Sequence, residues 1–152
     1  MKTMNIVRIA GMGVIALVFT VVMQACSSNG PTPINYGHEQ CGHCRMTVSD
    51  GRFACQLVTA KGRAYTFDDV QCLIDFVKEG NVATEEVSAY YLSDYADGNQ
   101  LLPARGLFLL RSESLKSPMR GDIAAFEKRE DLEEVRGIID GGEELTWDSL
   151  WK

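Results

Sequence analysis

The chain has 152 residues, of which 15 are basic and 21 are acidic, so its formal charge is −6 at pH 7. Nucleic acid and anionic membrane surfaces repel an acidic chain, so neither is an expected partner. This length suits one domain, or two very small ones, built around a modest core.

Residues 1–25 predict a secretory leader of the bacterial lipoprotein type. Lys2 and Arg8 precede an apolar run that is short for a membrane span, which needs about 20 apolar residues. Ala25-Cys26 then indicates cleavage before Cys26 and lipid on its sulfur, which anchors a protein without crossing the bilayer. Because the leader carries two basic residues and no acid, the remaining 127 residues have a formal charge of −8. With Ser27 next, we expect a lipid-anchored protein on the periplasmic side, at the outer membrane.

Residues 26–39 are rich in Ser, Pro, Asn and Gly and predict a flexible tether. The first half of the domain, residues 40–97, then follows the order β-β-α-β. The expected elements are strands over 52–60 and 63–67, a helix over 68–81 and a strand over 86–95. Asp68 or Asp69 can cap this helix at its start, and Gly80 can end it.

The second half, residues 98–152, repeats the order after a joining loop over 96–104. The expected elements are strands over 105–113 and 122–128, a helix over 129–140 and a strand or short turn over 143–150. The helix should bury Leu132, Val135, Ile138 and Ile139. The predicted fold class is therefore α+β, with two small tandem β-β-α-β halves forming a compact domain.

The segment CGHCRM, from Cys41 to Met46, carries the clearest chemistry. A thiolate paired with a thioether selects copper(I), a soft ion, whereas methionine offers little to zinc. If the segment is extended, Cys44 and Met46 lie on one side, and Cys41 can fold back over one turn. We therefore expect a copper(I) site at Cys41, Cys44 and Met46.

Four pieces in chain order resemble the NosL family of nitrous oxide reductase accessory proteins. They are the lipoprotein leader, CGHCRM before a strand, YTFDDVQCL at the first helix and SPMRGDIAAF in the second half. The resemblance covers essentially the whole exported chain, and its most specific parts are Cys44-x-Met46 and Ser117-Pro118-Met119.

The resemblance implies a lipid-anchored copper(I) carrier that supplies nitrous oxide reductase or its maturation factors. No Ser-His-Asp set or catalytic carboxylate pair stands out in the sequence, so catalysis is not expected, and the chain is expected to be a monomer. It adds Met119 to the ligands Cys44 and Met46, and its fold is described as two β-β-α-β halves. Two positions depart from the family pattern. Cys55 stands where a small residue is usual, and Arg120 stands where glycine usually follows SPM.

Three other functions remain open at this stage. Cys41 and Cys44 are the pair expected of a thiol-disulfide oxidoreductase, although such a pair usually starts a helix. Cys41, Cys44, Cys55 and Cys72 could hold a structural zinc ion, or could form two disulfides in an oxidising compartment. Under the copper interpretation, Cys55 and Cys72 are small buried residues. His38 and His43 are then solvated loop residues.

Overall fold

A computed structural model describes residues 30–139 and 141–152. The strands are β1 Cys55–Thr59, β2 Ala64–Phe67, β3 Val87–Ser93, β4 Leu101–Pro103, β5 Phe108–Arg111, β6 Ile123–Phe126 and β7 Glu143–Leu145. The α-helices are α1 Val70–Lys78 and α2 Arg129–Ile138, and short 3₁₀ helices cover Thr84–Glu86 and Trp147–Trp151. The predicted leader and the lipidation residue Cys26 lie outside the described residues. No helix within the described part of the chain has the length and apolar character needed to cross a bilayer.

The strands form two antiparallel sheets, with orders β2-β1-β3-β4 and β6-β5-β7. Each half therefore has a hairpin, a crossover helix and a returning strand beside the first strand of the hairpin. This arrangement confirms the predicted α+β class with two β-β-α-β units. Helix α1 packs on β1 and β2, and α2 packs on β5 and β6.

Strand β4 was expected to belong to the joining loop. Its residues Leu101 and Leu102 pair with Ser93 and Leu92 of β3 instead, and they extend the first sheet past residue 98. The local sequence resembles a loop because Pro103 ends the segment, but proline is tolerated on an edge strand.

The two halves share one hydrophobic core. Leu57 and Leu73 of the first half and Leu109 and Ile123 of the second belong to the same buried cluster. The backbone joins the halves as well, because the Tyr95 N–H donates to the Ala125 carbonyl over 2.7 Å. The relative position of loops from the two halves is therefore fixed by packing.

The segment before the metal motif is docked, where a flexible tether was expected up to residue 39. The side chain of Gln56, fully buried in β1, accepts a hydrogen bond from the Thr32 N–H and donates to the Thr32 carbonyl. Ile34 and Tyr36 pack against the core. The docked segment therefore includes residues from Thr32 onward.

Helix α2 buries a narrower face than the sequence predicts. Leu132 is fully buried, and Val135 and Ile139 are partly buried against the second sheet. The prediction that Ile138 points inward is wrong, because this side chain is 75 % exposed. At about 100° per residue, position 138 lies well off the stripe set by 132, 135 and 139.

Candidate metal centre

The CGHCRM segment is a tight turn, whereas an extended segment was considered. The Cys41 N–H donates to the Met46 carbonyl over 2.8 Å, and the Arg45 N–H donates to the Cys41 carbonyl over 3.2 Å. Arg45 takes a left-handed conformation with φ of 67°, which is uncommon for a residue other than glycine. The turn thus folds Cys41 back beside Cys44. The expected fold-back of Cys41 is present, but the segment is not extended.

The turn is attached to the end of β2, directly before α1. The Gly42 N–H donates to the Thr66 carbonyl over 2.7 Å. A side chain at Gly42 would approach the Phe67 ring to 3.2 Å, so this contact favours glycine. The attachment brings the cysteine turn to the N-terminus of the first helix.

Helix α1 contributes two further residues to the same place. Asp69 is its N-cap, as one of the two expected candidates, and accepts a hydrogen bond from the Gln71 N–H over 2.8 Å. Asp68 precedes the cap, and Cys72 lies within the first turn of the helix. Both Asp68 and Cys72 are almost completely buried.

Cys41, Cys44, Asp68 and Cys72 form what we call the thiol-carboxylate cluster. Their sulfur and carboxylate oxygen atoms all lie within 4.8 Å of one another, a spacing that can surround a metal ion. Cys44 is partly exposed, whereas the other three residues are buried. The Cys44 Sγ lies 3.4 Å from Oδ2 of Asp68 and donates to it. The cluster is therefore open to solvent mainly on its Cys44 side.

The thiols of the cluster differ in acidity. A hydrogen bond from the Cys72 thiol, together with the Asp68 and His43 N–H groups, lowers the pKa of Cys41 to about 6. Burial, followed by the neighbouring Cys41, raises the pKa of Cys44 to about 11. The hydrogen bond to Cys41, followed by burial, raises the pKa of Cys72. The cluster thus holds one stabilised thiolate, and a cation would favour release of the remaining thiol protons.

The two methionines of the described chain, Met46 and Met119, both lie on loops and are unusually exposed. Met46 is 57 % exposed and Met119 is 37 % exposed. Methionine more often fills gaps in a core, so two exposed methionines call for a role other than packing. Met46 lies in the cysteine turn itself. The Met119 N–H donates to the Asp69 carboxylate, which places its backbone next to the start of α1.

The other candidate ligands lie outside the thiol-carboxylate cluster. His38 is exposed. His43 is partly buried, and its Nε2 lies 3.2 Å from both carboxylate oxygens of Glu79. Cys55 is fully buried in β1, where burial raises its pKa well above the usual value. The prediction of a buried Cys55 is therefore confirmed, and the four-cysteine set proposed for zinc is wrong in this residue.

Sequence reasoning missed Asp68 as a member of the cluster and placed Cys72 beside Cys41 and Cys44 only under the zinc alternative. Under the copper interpretation, Cys72 was expected as a small buried residue, and Asp68 was one of two candidates for the helix cap. The burial of Cys72 is confirmed, but its sulfur faces the other thiols. The spacing gave a signal that could have been used. Asp68 and Cys72 are four residues apart at the start of the helix, a separation at which side chains can lie near each other. All four cysteines of the described residues are free, so the structure closes no pair into a structural disulfide.

Comparison with known proteins matches the chain to a family model and to a solved structure of similar fold. The family model of NosL matches residues 32–149. The crystal structure of the copper chaperone NosL from Shewanella denitrificans is similar to this fold, with a TM-score of 0.65 and 19 % sequence identity. The similarity covers 79 % of this chain and 94 % of the other. No curated protein sequence matches the chain significantly.

Proposed function

This chain belongs to the NosL family, and we propose on that premise that it binds copper(I) and carries it to an acceptor protein. The observation that carries the proposal is the thiol-carboxylate cluster, in which three thiols and one carboxylate lie within 4.8 Å of one another. The similar protein from Shewanella denitrificans is described as a copper chaperone, which agrees with this proposal.

The donor set suits copper(I) because it is rich in sulfur. Thiolates and thioethers are the ligands that select copper(I) over harder ions. Cys41, Cys44 and Cys72 supply thiolates, and the exposed Met46 and Met119 are the available thioethers. Copper(I) is cargo here, and the chain's own residues have to hold it and also surrender it.

The exposure pattern suits a carrier better than a store. Cys41 and Cys72 are buried, whereas Cys44 is partly exposed and Met46 is more than half exposed. An acceptor thiolate could therefore approach from the Cys44 side and replace the ligands one at a time. A cage of buried ligands on all sides would leave no such route.

Removing the thioethers tests this proposal. Met46→Leu is expected to weaken copper(I) binding by about tenfold, and Met119→Leu by less, while both leave zinc binding nearly unchanged. Leucine roughly keeps the volume, and both side chains are exposed, so folding should not change. The measurement is competition of the reduced, oxygen-free protein against a coloured copper(I) chelator, with a parallel zinc titration. Copper(I) affinities equal to that of the parent in both variants would contradict the ligand role of methionine.

We further propose that the carrier is held by lipid on Cys26 at the periplasmic side of the outer membrane. Its recipient would be nitrous oxide reductase or one of the maturation factors of that enzyme, and the carrier would act as a monomer. The leader sequence supports the anchor, and the family supports the recipient. A monomeric carrier can present the partly exposed Cys44 side of its cluster directly to the recipient.

The anchor makes a separate prediction. Cys26→Ala should move the protein from the membrane fraction to the soluble fraction, because the acylated sulfur is lost. Copper(I) affinity should stay the same, since the cluster begins at Cys41. Fractionation followed by washing with high salt and carbonate is the measurement. A variant that stays in the washed membranes would contradict the lipoprotein assignment.

A zinc-stabilised domain is the second candidate, and Asp68 is the observation that favours it. Zinc binds thiolates and carboxylates in closed four-ligand sites. Cys41, Cys44, Cys72 and Asp68 supply four such ligands, three of them buried. This set differs from the four cysteines considered from the sequence, because Asp68 takes the place of Cys55.

The geometry disfavours the oxidoreductase alternative. Attack on a substrate disulfide needs an accessible thiolate. Cys41 has the lowered pKa but is fully buried, whereas the accessible Cys44 has a raised pKa. The cysteine with the lowered pKa and the cysteine that a substrate can reach are therefore different residues, which does not suit disulfide exchange.

A further inference from the structure

Asp69 uses its two carboxylate oxygens in two directions. Oδ1 caps helix α1 by accepting from the Gln71 N–H. Oδ2 accepts from the second half of the chain: from Ser117 Oγ over 2.5 Å, from the Met119 N–H over 2.9 Å and from the Gly121 N–H over 3.4 Å. Asp69 is 1 % exposed. One buried carboxylate therefore joins the helix that carries Cys72 to the loop that carries Met119.

The loop around Met119 has an unusual backbone that needs such an anchor. Lys116, Arg120 and Asp122 all take left-handed conformations, with φ of 53°, 60° and 53°. Residues other than glycine stay in this region only where their surroundings hold them there. Asp122 closes the loop from within, since its Oδ1 accepts from the Ser117 N–H and its own N–H donates to Ser117 Oγ. Three hydrogen bonds tie the loop to the first half of the chain, and all three go to Asp69.

Gly121 shows how closely the loop approaches the helix. A side chain at this position would lie 2.6 Å from Oδ1 of Asp69 and 2.9 Å from Cβ of Gln71. No substituent fits there unless the loop moves away. The close contact between the loop and Asp69 therefore depends on the glycine at 121 as well as on the carboxylate at 69.

We propose that Asp69 is a positioning residue for copper(I), because it holds Met119 next to the thiol-carboxylate cluster. The inference rests on the proposed function, in which Met119 supplies a thioether. Asp69 follows Asp68 directly and caps the turn that contains Cys72, so the loop it anchors lies at the same helix end as the cluster. Without Asp69, the Met119 loop would lose the three hydrogen bonds that hold it against the helix end beside the thiols.

Asp69→Ser separates the two tasks of the carboxylate. Serine caps helices about as well as aspartate, but its shorter side chain cannot also reach the Met119 loop. The full-length chain is labelled with ¹³C-methyl methionine and extracted in mild detergent, and Met119→Leu identifies the Met119 resonance. In the reduced parent protein, added copper(I) should shift the methyl resonances of Met46 and Met119. In Asp69→Ser only the Met46 resonance should shift, and the copper(I) affinity should fall to that of Met119→Leu.

A second variant and a control keep the test independent of folding. Gly121→Ala should lose the Met119 shift although Asp69 is intact, because its Cβ forces the loop away from the carboxylate. Ser149→Ala removes the hydroxyl that accepts from the Thr146 N–H at the C-terminal 3₁₀ helix, and it should leave the Met119 shift unchanged. Asp69→Ser combined with Met119→Leu should bind copper(I) no more weakly than either single variant, since both remove the same ligand.

The proposal is overturned if Asp69→Ser keeps a Met119 shift of parental size. It is equally overturned if Asp69→Ser weakens copper(I) binding as much in the Met119→Leu background as in the parent. A parent protein whose methionine resonances ignore copper(I) altogether would overturn the thioether role in the proposed function as well. That result is seen in the parent spectrum, before any Asp69 variant is compared.

Discussion

Cys72→Ala is expected to weaken copper(I) binding by at least about 100-fold. Even groups that only support a metal ligand are worth roughly 10–100-fold in affinity, so a thiolate inside the cluster should be worth more. Cys72 is the buried thiol that donates a hydrogen bond to Cys41, and its loss removes both a sulfur ligand and the partner that lowers the pKa of Cys41.

Cys55→Ala is the matched control for this change. Both residues are buried cysteines of the first half and lose the same atom, but Cys55 lies outside the cluster. Competition against a coloured copper(I) chelator should give Cys55→Ala the affinity of the parent, with only a modest loss in the free energy of unfolding. If Cys72→Ala binds copper(I) as tightly as the parent, Cys72 is not a ligand, and the ligand set is the one that the sequence predicted.

Asp68→Asn is expected to weaken zinc binding much more than copper(I) binding. A carboxylate is a ligand that zinc uses and copper(I) does not need, so zinc affinity should fall by roughly 100-fold while copper(I) affinity stays within a few fold. Asparagine keeps the shape of the side chain, and the backbone N–H of residue 68 still donates to the Cys41 sulfur. The fold should therefore survive the substitution.

The measurement is a pair of titrations, of copper(I) and of zinc, on reduced protein, with thermal unfolding recorded in each state. Asp75→Asn on the same helix provides the control, because Asp75 contacts Gln71 and lies outside the cluster. If Asp68→Asn loses copper(I) as strongly as zinc, the carboxylate is a general part of the site. If zinc binding is unaffected, the zinc-stabilised alternative loses the observation that favours it.

The strands and helices of this chain follow patterns that are local. The β-branched and aromatic residues of β1 and β2, the cap at Asp69 and the periodicity of α1 all belong to short stretches of sequence, and the sequence predicts the elements from them. Strand β4 is the exception. Three residues ending in Pro103 carry no strand pattern of their own and become a strand because β3 offers them a free edge.

The two cysteines of the turn could be predicted as ligands from the sequence for the same reason. Cys41 and Cys44 are three residues apart, so any turn brings them together, and the turn is closed by bonds within the segment. Cys72 and Asp68 could not be assigned from this neighbourhood. They reach the cluster only because Gly42 attaches the turn to the end of β2, beside the start of α1.

By itself the sequence determined the α+β class, the two β-β-α-β units and the sulfur chemistry of the Cys41 turn, because each rests on short-range periodicity or on residue type. Only the tertiary structure decided which further groups join that turn. Asp68 and Cys72 come from across a hairpin, and the Met119 loop comes from the other half of the chain through Asp69. Contacts between residues about 24 to 50 positions apart depend on how the two sheets pack into one core, and no local pattern specifies that packing.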